Sequence, residues 1–171
     1  ERLLLKPIEE EDLLDLLELR WDKNMQYLMH DPISKNKQKE WYRGLSNTDI
    51  PLTIWLKSSN EQKFIGTIGL YGINWRHQLA TWRIRLSPSV WGMGMAYESS
   101  CLLIEYAFNT LNLRKLCSTS FSENKAVVSL LHKLGGKEEG LLRQHFYLNG
   151  EYRDVITWGI LKSDFLMMLK K

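Results

Sequence analysis

Residues 83–98 run Arg-Ile-Arg-Leu-Ser-Pro-Ser-Val-Trp-Gly-Met-Gly-Met-Ala-Tyr-Glu. An alternating stretch ends at Pro88, glycines follow at Gly92 and Gly94, and an unbroken helical pattern begins. That order builds an anion cradle. Glycine removes the Cβ that would hold a phosphate away from the backbone. The first helical turn adds N–H groups without intrahelical acceptors and the positive end of the helix dipole. A diphosphate needs several converging donors, and Trp91, Gly92, Met93, Gly94, Met95, Ala96 and Tyr97 supply them. A plain strand-to-helix turn has the same spelling, so the surroundings must decide between the two.

Other reactive groups are few. Asn124 opens the segment NKAVVSLLHKL, where an Asn side chain caps a helix. Arg83 and Arg85 alternate along one strand and so share a face, able to meet a phosphate or an acidic acceptor, or simply to face solvent. Cys101 and Cys117 show no CxxC or Cys/His clustering, so buried free thiols are expected and no metal site. Seven tryptophans, at 21, 41, 55, 75, 82, 91 and 158, are expected to serve packing.

The elements that must position these groups alternate between strand and helix. Residues 2–7 form an apolar run ended by Pro7. EEEDLLDLLELR then opens a helix with acids and carries Leu13, Leu16 and Leu17 as a stripe, Leu14 at its edge. Ser34 is the N-cap of a second helix through about Leu45, with Trp41 and Leu45 on one face. Three strands joined by short turns follow: LTIWLK, KFIGTIGLYGINW and LATWRIRLS. They imply an antiparallel meander. AYESSCLLIEYAFNTLNL reads as a long helix, KLCSTSF as a strand, and NKAVVSLLHKL as a helix stopped by Gly135-Gly136. HFYL and EYRDVITWGIL flank Asn149-Gly150, a strong hairpin signal. The sum is an α/β (mixed α+β) fold, a mixed central sheet flanked by helices.

At 171 residues, 44% hydrophobic and 25% charged, the chain has room for one well-cored domain, residues 1–171. No stretch reaches the ~20 apolar residues of a membrane span, so no membrane partner is expected. The start is acidic where a signal peptide would be basic, which makes a cytoplasmic location the default expectation. A net charge of +3, without an aromatic-interleaved basic stripe, adds nothing for nucleic acid. The oligomeric state stays open, a homo-oligomer included.

Taken together, these features resemble the GNAT superfamily of N-acetyltransferases. Its phosphate loop has the form Gln/Arg-x-x-Gly-x-Gly/Ala after the fourth strand, and Trp91, Gly94 and Ala96 take the three defined places. Trp replaces the first polar residue, and Trp91, Gly92, Gly94, Ala96 and Glu98 resemble the ribosomal-protein N-acetyltransferases. Glu123-Asn124 and Leu134-Gly135 match the family's opening and closing of the helix after the fifth strand. IGTIGLYGINWRH, FNTLNLRKL, SENKAV and EEGLLRQHFYLNGEYRDV resemble bacterial spermidine N-acetyltransferases. The likeness covers nearly the whole chain and is most specific over residues 64–161.

The resemblance implies a V-splayed, mostly antiparallel sheet of about seven strands and acetyl-CoA as donor substrate. It puts the pantetheine arm on the backbone of Ile84, Arg85 and Leu86, the pyrophosphate on the loop from Trp91 to Tyr97, and Asn124 and Leu131 on the helix face toward the cofactor. The acceptor is then a small-molecule amine (a polyamine or nucleotide-linked amino sugar) or a peptide N-terminus. The catalytic residues stay unassigned. The family's usual Tyr corresponds to Leu131 and its Glu to Thr81, neither of which moves a proton. Ser129, Tyr97, Tyr147 or a bound water are the substitutes to consider.

Polyamine enzymes gather carboxylates near the first two helices; here His30, Asp31 and Glu40 stand among Lys35, Lys37 and Lys39. ISKNKQKEWYRGL also resembles a stretch of nucleotide-linked amino-sugar N-acetyltransferases, with Gln38 or Lys39 near the place of their His. Tyr152 and Asp154 are expected to make structural hydrogen bonds. The lost proton carriers motivate a second reading, a CoA-binding regulatory or interaction module with little turnover. A nucleotide-binding domain is the third, and it leaves Asn124 and the hairpin unexplained.

Overall fold

The computed structural model describes residues 2–25, 27, 33–57 and 62–170. The first strand, β1 (Leu3–Pro7), ends at its proline. A capping box between Glu9 and Asp12 then turns the chain through a short 3-10 segment into α1 (Leu13–Trp21). Leu13, Leu16, Leu17 and Leu19 are buried while Leu14 is exposed, as the apolar stripe requires. The hydroxyl of Ser34 accepts a bond from the Lys37 amide at 3.3 Å and caps α2 (Lys35–Arg43), which stops at Gly44, short of Leu45.

The remaining elements are β2 (Ile50–Lys57), β3 (Gln62–Asn74), β4 (Leu79–Leu86), α3 (Met95–Asn109), β5 (Lys115–Phe121), α4 (Lys125–Lys133), β6 (Lys137–Leu148), β7 (Glu151–Leu161) and α5 (Lys162–Leu169). Seven strands form one sheet in the order β1-β2-β3-β4-β5-β7-β6. Every neighbouring pair is antiparallel except β4 and β5. That parallel ladder holds only Leu79 with Lys115, Ala80 with Leu116 and Thr81 with Cys117. Both strands continue beyond it, to Leu86 and Phe121, without pairing to each other. The sheet therefore opens in a V between its fourth and fifth strands.

The main core lies on one face of the sheet. Trp82 and Leu86 of β4 meet Leu103, Ile104 and Phe108 of α3 and Leu130 and Leu131 of α4. A smaller cluster of Ile8, Leu13 and Leu16 with Trp41, Tyr42 and Phe64 lies under α1 and α2. Trp82 and Trp158 are core residues, and Trp158 donates its indole N–H to Ser120 Oγ at 2.9 Å. Packing does not account for Trp21, Trp75 and Trp91, which are each about half exposed. Both cysteines are free and half-buried, less enclosed than expected. No helix among the described residues is long and apolar enough to cross a membrane.

Three elements differ from expectation. Helix α3 ends at Asn109, because Leu113 turns into the core and Asn112 takes a left-handed φ of 54°. β6 begins at Lys137, eight residues before HFYL. It is an edge strand, exposed through His145 and bulged at Glu138/Gly140 and Leu142/Phe146, so no period-two pattern marks it. α5 is an addition held by packing: Phe165 sits 6.1 Å from Phe108, and the buried Asp164 pairs with Lys137 at 2.8 Å. Eight residues have too little helical stability of their own to announce it.

Gly66 of β3 governs how closely β4 approaches. A Cβ there would strike the carbonyl oxygen of Arg85 and lie 2.9 Å from the Leu86 Cα. Gly66→Ala is expected to cost about 1–3 kcal/mol through overpacking, read as a lower urea midpoint at unchanged slope.

Candidate functional site

The loop between β4 and α3 starts with a 3-10 turn over Pro88–Val90, closed by the Val90 amide on Ser87 O at 3.1 Å and the Trp91 amide on Pro88 O at 3.2 Å. Gly92 and Gly94 then adopt φ of 75° and 79°, the left-handed region that glycine enters without a Cβ penalty. The indole N–H of Trp91 donates to Leu86 O at 3.0 Å and ties the loop to the strand end. No side chain caps α3. Among the described residues, the amides of Gly92, Gly94, Met95, Ala96 and Tyr97 have no backbone acceptor. A ring of N–H donors thus surrounds the positive end of a 15-residue helix.

The first turn of α3 is held from within. Met95 is buried, and the hydroxyls of Ser99 and Ser100 donate to Met95 O at 2.7 Å and Ala96 O at 2.6 Å. Glu98 is turned aside: its carboxylate pairs with Arg2 at 2.7 Å and accepts from the Arg2 amide at 3.2 Å. Its charge is matched there. Trp91 and Met93 remain exposed beside the loop.

Beyond the last ladder pair, residues 82–86 have no strand on their β5 side; Arg83 and Arg85 turn their backbone groups to β3, which leaves the alternate ones of Ile84 and Leu86 on the open edge. The Leu86 carbonyl is taken by Trp91. Asn124 caps α4, its Oδ1 accepting from the Val127 amide at 3.3 Å and its own amide donating to Phe121 O at 3.1 Å. Leu131 is fully enclosed in the core, so its side chain presents no surface to a ligand. Gly136 and Gly135 close α4 by donating to Leu131 O at 2.8 Å and His132 O at 3.0 Å.

The opposite face of the same strand is polar. Thr81, at the end of the ladder, pairs with Tyr71 on one side and Cys117 on the other. Burial raises the Tyr71 phenol and the Cys117 thiol above their ordinary pKa values, so both keep their protons near neutrality. The Arg83 guanidinium lies 5.1 Å from the Tyr71 ring centre. Arg85 is pushed down to about 10, first by burial and then by the charge of Arg20. Beyond Cys117, Phe121 packs against Tyr27 at 5.6 Å and Phe146 at 6.0 Å, giving this face an aromatic wall.

The remaining sequence candidates lie elsewhere. Ser129 is exposed on α4. Tyr97 lies one helical turn from Cys101 on α3, and Tyr147 meets Tyr152 edge-on at 5.2 Å beside the hairpin turn. None of the three adjoins Thr81 or Cys117 in the sheet register. Gln38 is buried with no partner for its amide among the described residues, Lys39 pairs with Glu10 at 3.1 Å, and Glu40 is exposed. His30 and Asp31 lie outside the described residues. Asp154 accepts from the Gln144 amide at 2.7 Å, a structural bond as expected, whereas Tyr152 is exposed. Among the described residues no group of three or more His, Cys, Asp or Glu is placed for a metal ion. Arg20, Tyr71 and Cys117 carried no signal in the sequence, because only strand register and the packing of α1 bring them beside Thr81.

A family model described as an acetyltransferase (GNAT) domain matches residues 2–137. The spermidine N(1)-acetyltransferase of Escherichia coli (strain K12) is 30% identical, over 95% of this chain and 87% of that protein. The enzyme of the same name from Vibrio cholerae is 30% identical over 96% of each. The crystal structure of a Vibrio cholerae spermidine N-acetyltransferase in complex with CoA and spermine superposes with a TM-score of 0.89, at 30% identity, over 96% of this chain and 98% of that one.

The cap on α4 is separable from any ligand contact. Asn124→Ala should lose about 1 kcal/mol of stability, and Asn124→Asp, which keeps the acceptor oxygen, should restore most of it in the same urea titration.

Proposed function

This chain belongs to the acetyltransferase (GNAT) family and is an acetyl-CoA-dependent N-acetyltransferase, and we propose that acetyl-CoA lies along the open side of β4 while a primary amine reaches it from the α1 face. The observation that carries this reading is the end of the β4–β5 ladder at Thr81 and Cys117, on the same strand that feeds the glycine loop. The amides of Gly92, Gly94, Met95, Ala96 and Tyr97, without backbone acceptors among the described residues, suit a diphosphate, which needs several donors at once. The N–H groups of Ile84 and Leu86 on the open edge suit the amide-bearing arm and the thioester oxygen. Asn124 contributes through the helix it caps, and Leu131 through packing alone.

Acetyl transfer joins the amine nitrogen to the acetyl carbon and releases the thiol. The nitrogen must be neutral to attack, and the departing thiolate must gain a proton. Tyr71 and Cys117 flank the end of the ladder and both hold protons, so they are the chain's own groups best placed to supply one. This supply compensates for the missing family Tyr and Glu. Such general acid help is worth about 10²- to 10⁴-fold, which a reactive thioester and good positioning can partly replace. The relatives named for spermidine support an aliphatic primary amine as the nucleophile; an amino sugar or a peptide N-terminus offers the same group.

The second reading, a CoA-binding module with little turnover, draws on Leu131 and Thr81, which stand where the family's proton carriers would be. Thiol release with acetyl-CoA and a panel of amines separates the two. Release well above the amine-free rate on at least one amine is expected, and CoA binding without any release would favour the module. Gly94→Ala should cost about 1–2 kcal/mol for its left-handed φ. The same change should weaken CoA by roughly tenfold, the loss of about one charge-assisted bond, as measured by calorimetry. Undiminished CoA affinity in that variant would remove the loop from the site.

A further inference from the structure

The sheet face under α1 gathers three guanidinium groups that have no ion-pair partner among the described residues. Arg83 and Arg85 share this face of β4, and opposite them on β3 stand Gly69 and Thr67, too short to cover them. Arg20, in the last turn of α1, reaches the same place: its charge acts on both Tyr71 and Arg85. Its Nε is enclosed with no hydrogen-bond partner among the described residues. Among those residues, none of the three guanidinium groups forms an ion pair. Asp49, whose charge acts on Tyr71, is already engaged by the Gly72 amide at 2.8 Å and the Ser46 amide at 3.3 Å.

The three cations repel one another, and the half-buried Arg20 and Arg85 also lose hydration. An anion between them would reverse both costs, and the planar fork of Arg fits carboxylate and phosphate oxygens two at a time. The place matters as much as the charge. Arg83 is two residues from Thr81 on the same face of the same strand, beside the end of the ladder and away from the core face that carries α3. The exposed lysines of α2, Lys35 and Lys37, add charge of the same sign on the α1 side.

We propose that Arg20, Arg83 and Arg85 form an anion-recognition site for the acetyl acceptor, so that the amine acetylated by this enzyme belongs to a molecule bearing a phosphate or a carboxylate. This rests on the acetyl-transfer reading of the β4–β5 opening. A free polycation meets three like charges at the same spot and is disfavoured. The site therefore separates this chain's acceptor from the one for which its relatives are named.

The test fills the glycine loop first. With CoA at saturation, inorganic phosphate is titrated against potassium chloride of equal ionic strength, and the melting temperature is followed. Phosphate should raise it in the wild type. Arg83→Gln/Arg85→Gln should lose most of that rise while keeping the shift given by CoA itself, Arg20→Gln should lose part of it, and Arg85→Lys should retain more than Arg85→Gln. Arg83 is exposed, so Arg83→Gln alone keeps the comparison available if the double variant folds poorly.

Thiol release then compares glucosamine 6-phosphate with glucosamine, and glycine with glycinamide, spermidine being the polycation. In at least one pair the anionic member should exceed its partner by roughly tenfold in kcat/KM, and the double variant should lose that preference through KM. The pair that responds tells phosphate from carboxylate. Equal phosphate shifts in wild type and variant, or spermidine turned over faster than every anionic amine, would overturn the proposal. If no amine releases thiol, the acetyl-transfer reading fails by itself, and the phosphate titration still decides the anion site.

Discussion

β4 and β5 lie side by side for three residue pairs and then part. Two parallel neighbours cannot be joined by a hairpin, so the chain must cross over, and α3 is that crossover. A crossover starts at the carboxyl end of one strand and returns to the amino end of the next. The start of α3 is therefore delivered to the mouth of the V, where the unpaired backbone of β4 also lies. Glycine loop, helix dipole and open strand edge meet there because of one connection. Ligands of α/β sheets bind outside strand carboxyl ends for the same reason.

The pleat of β4 then divides the labour. Ala80, Trp82 and Leu86 point into the core with α3, so the strand is fixed from one side. Thr81, Arg83 and Arg85 point to the other side, where α1 covers them only in part. Gly66 lets the strand lie close to β3, and Trp91 locks the strand end to the loop. A rigid backbone with one apolar and one polar face can hold a donor on its edge and receive an acceptor from the polar face. That face brings three guanidinium groups together without an ion pair among the described residues, whereas Arg2, Lys115 and Arg153 elsewhere are matched by Glu98, Glu139 and Glu123.

Much of this was legible in the sequence. Strands β1 to β5 are short apolar or alternating runs bounded by Pro, Gly or polar turns, and their registers follow from buried faces. Ser34 and Asn124 announced their caps because a cap is a local bond, closed within three residues. The loop was readable because positive φ at Gly92 and Gly94 is a glycine property. β6 was mostly unreadable: a bulged edge strand with both faces wet has no hydrophobic period to show. Leu131 fitted the family's ligand-facing helix by spacing, yet the packing of α4 against the sheet encloses it.

By itself, the sequence determined the kind of fold, the order of its elements as far as β7, the glycine turn at Gly92 and Gly94, and the caps at Ser34 and Asn124. All of these depend on contacts within a few residues, or on which side of a strand or helix a residue falls. Tertiary structure alone decided where the β4–β5 ladder ends, which protonated groups flank Thr81, and that Arg20 joins Arg83 and Arg85. Those facts depend on residues far apart in the chain, up to 65 residues for the Arg20 and Arg85 pair. Strand register and helix docking bring them together, and the free energy that sets both is shared over the whole core, so no single stretch of sequence displays it.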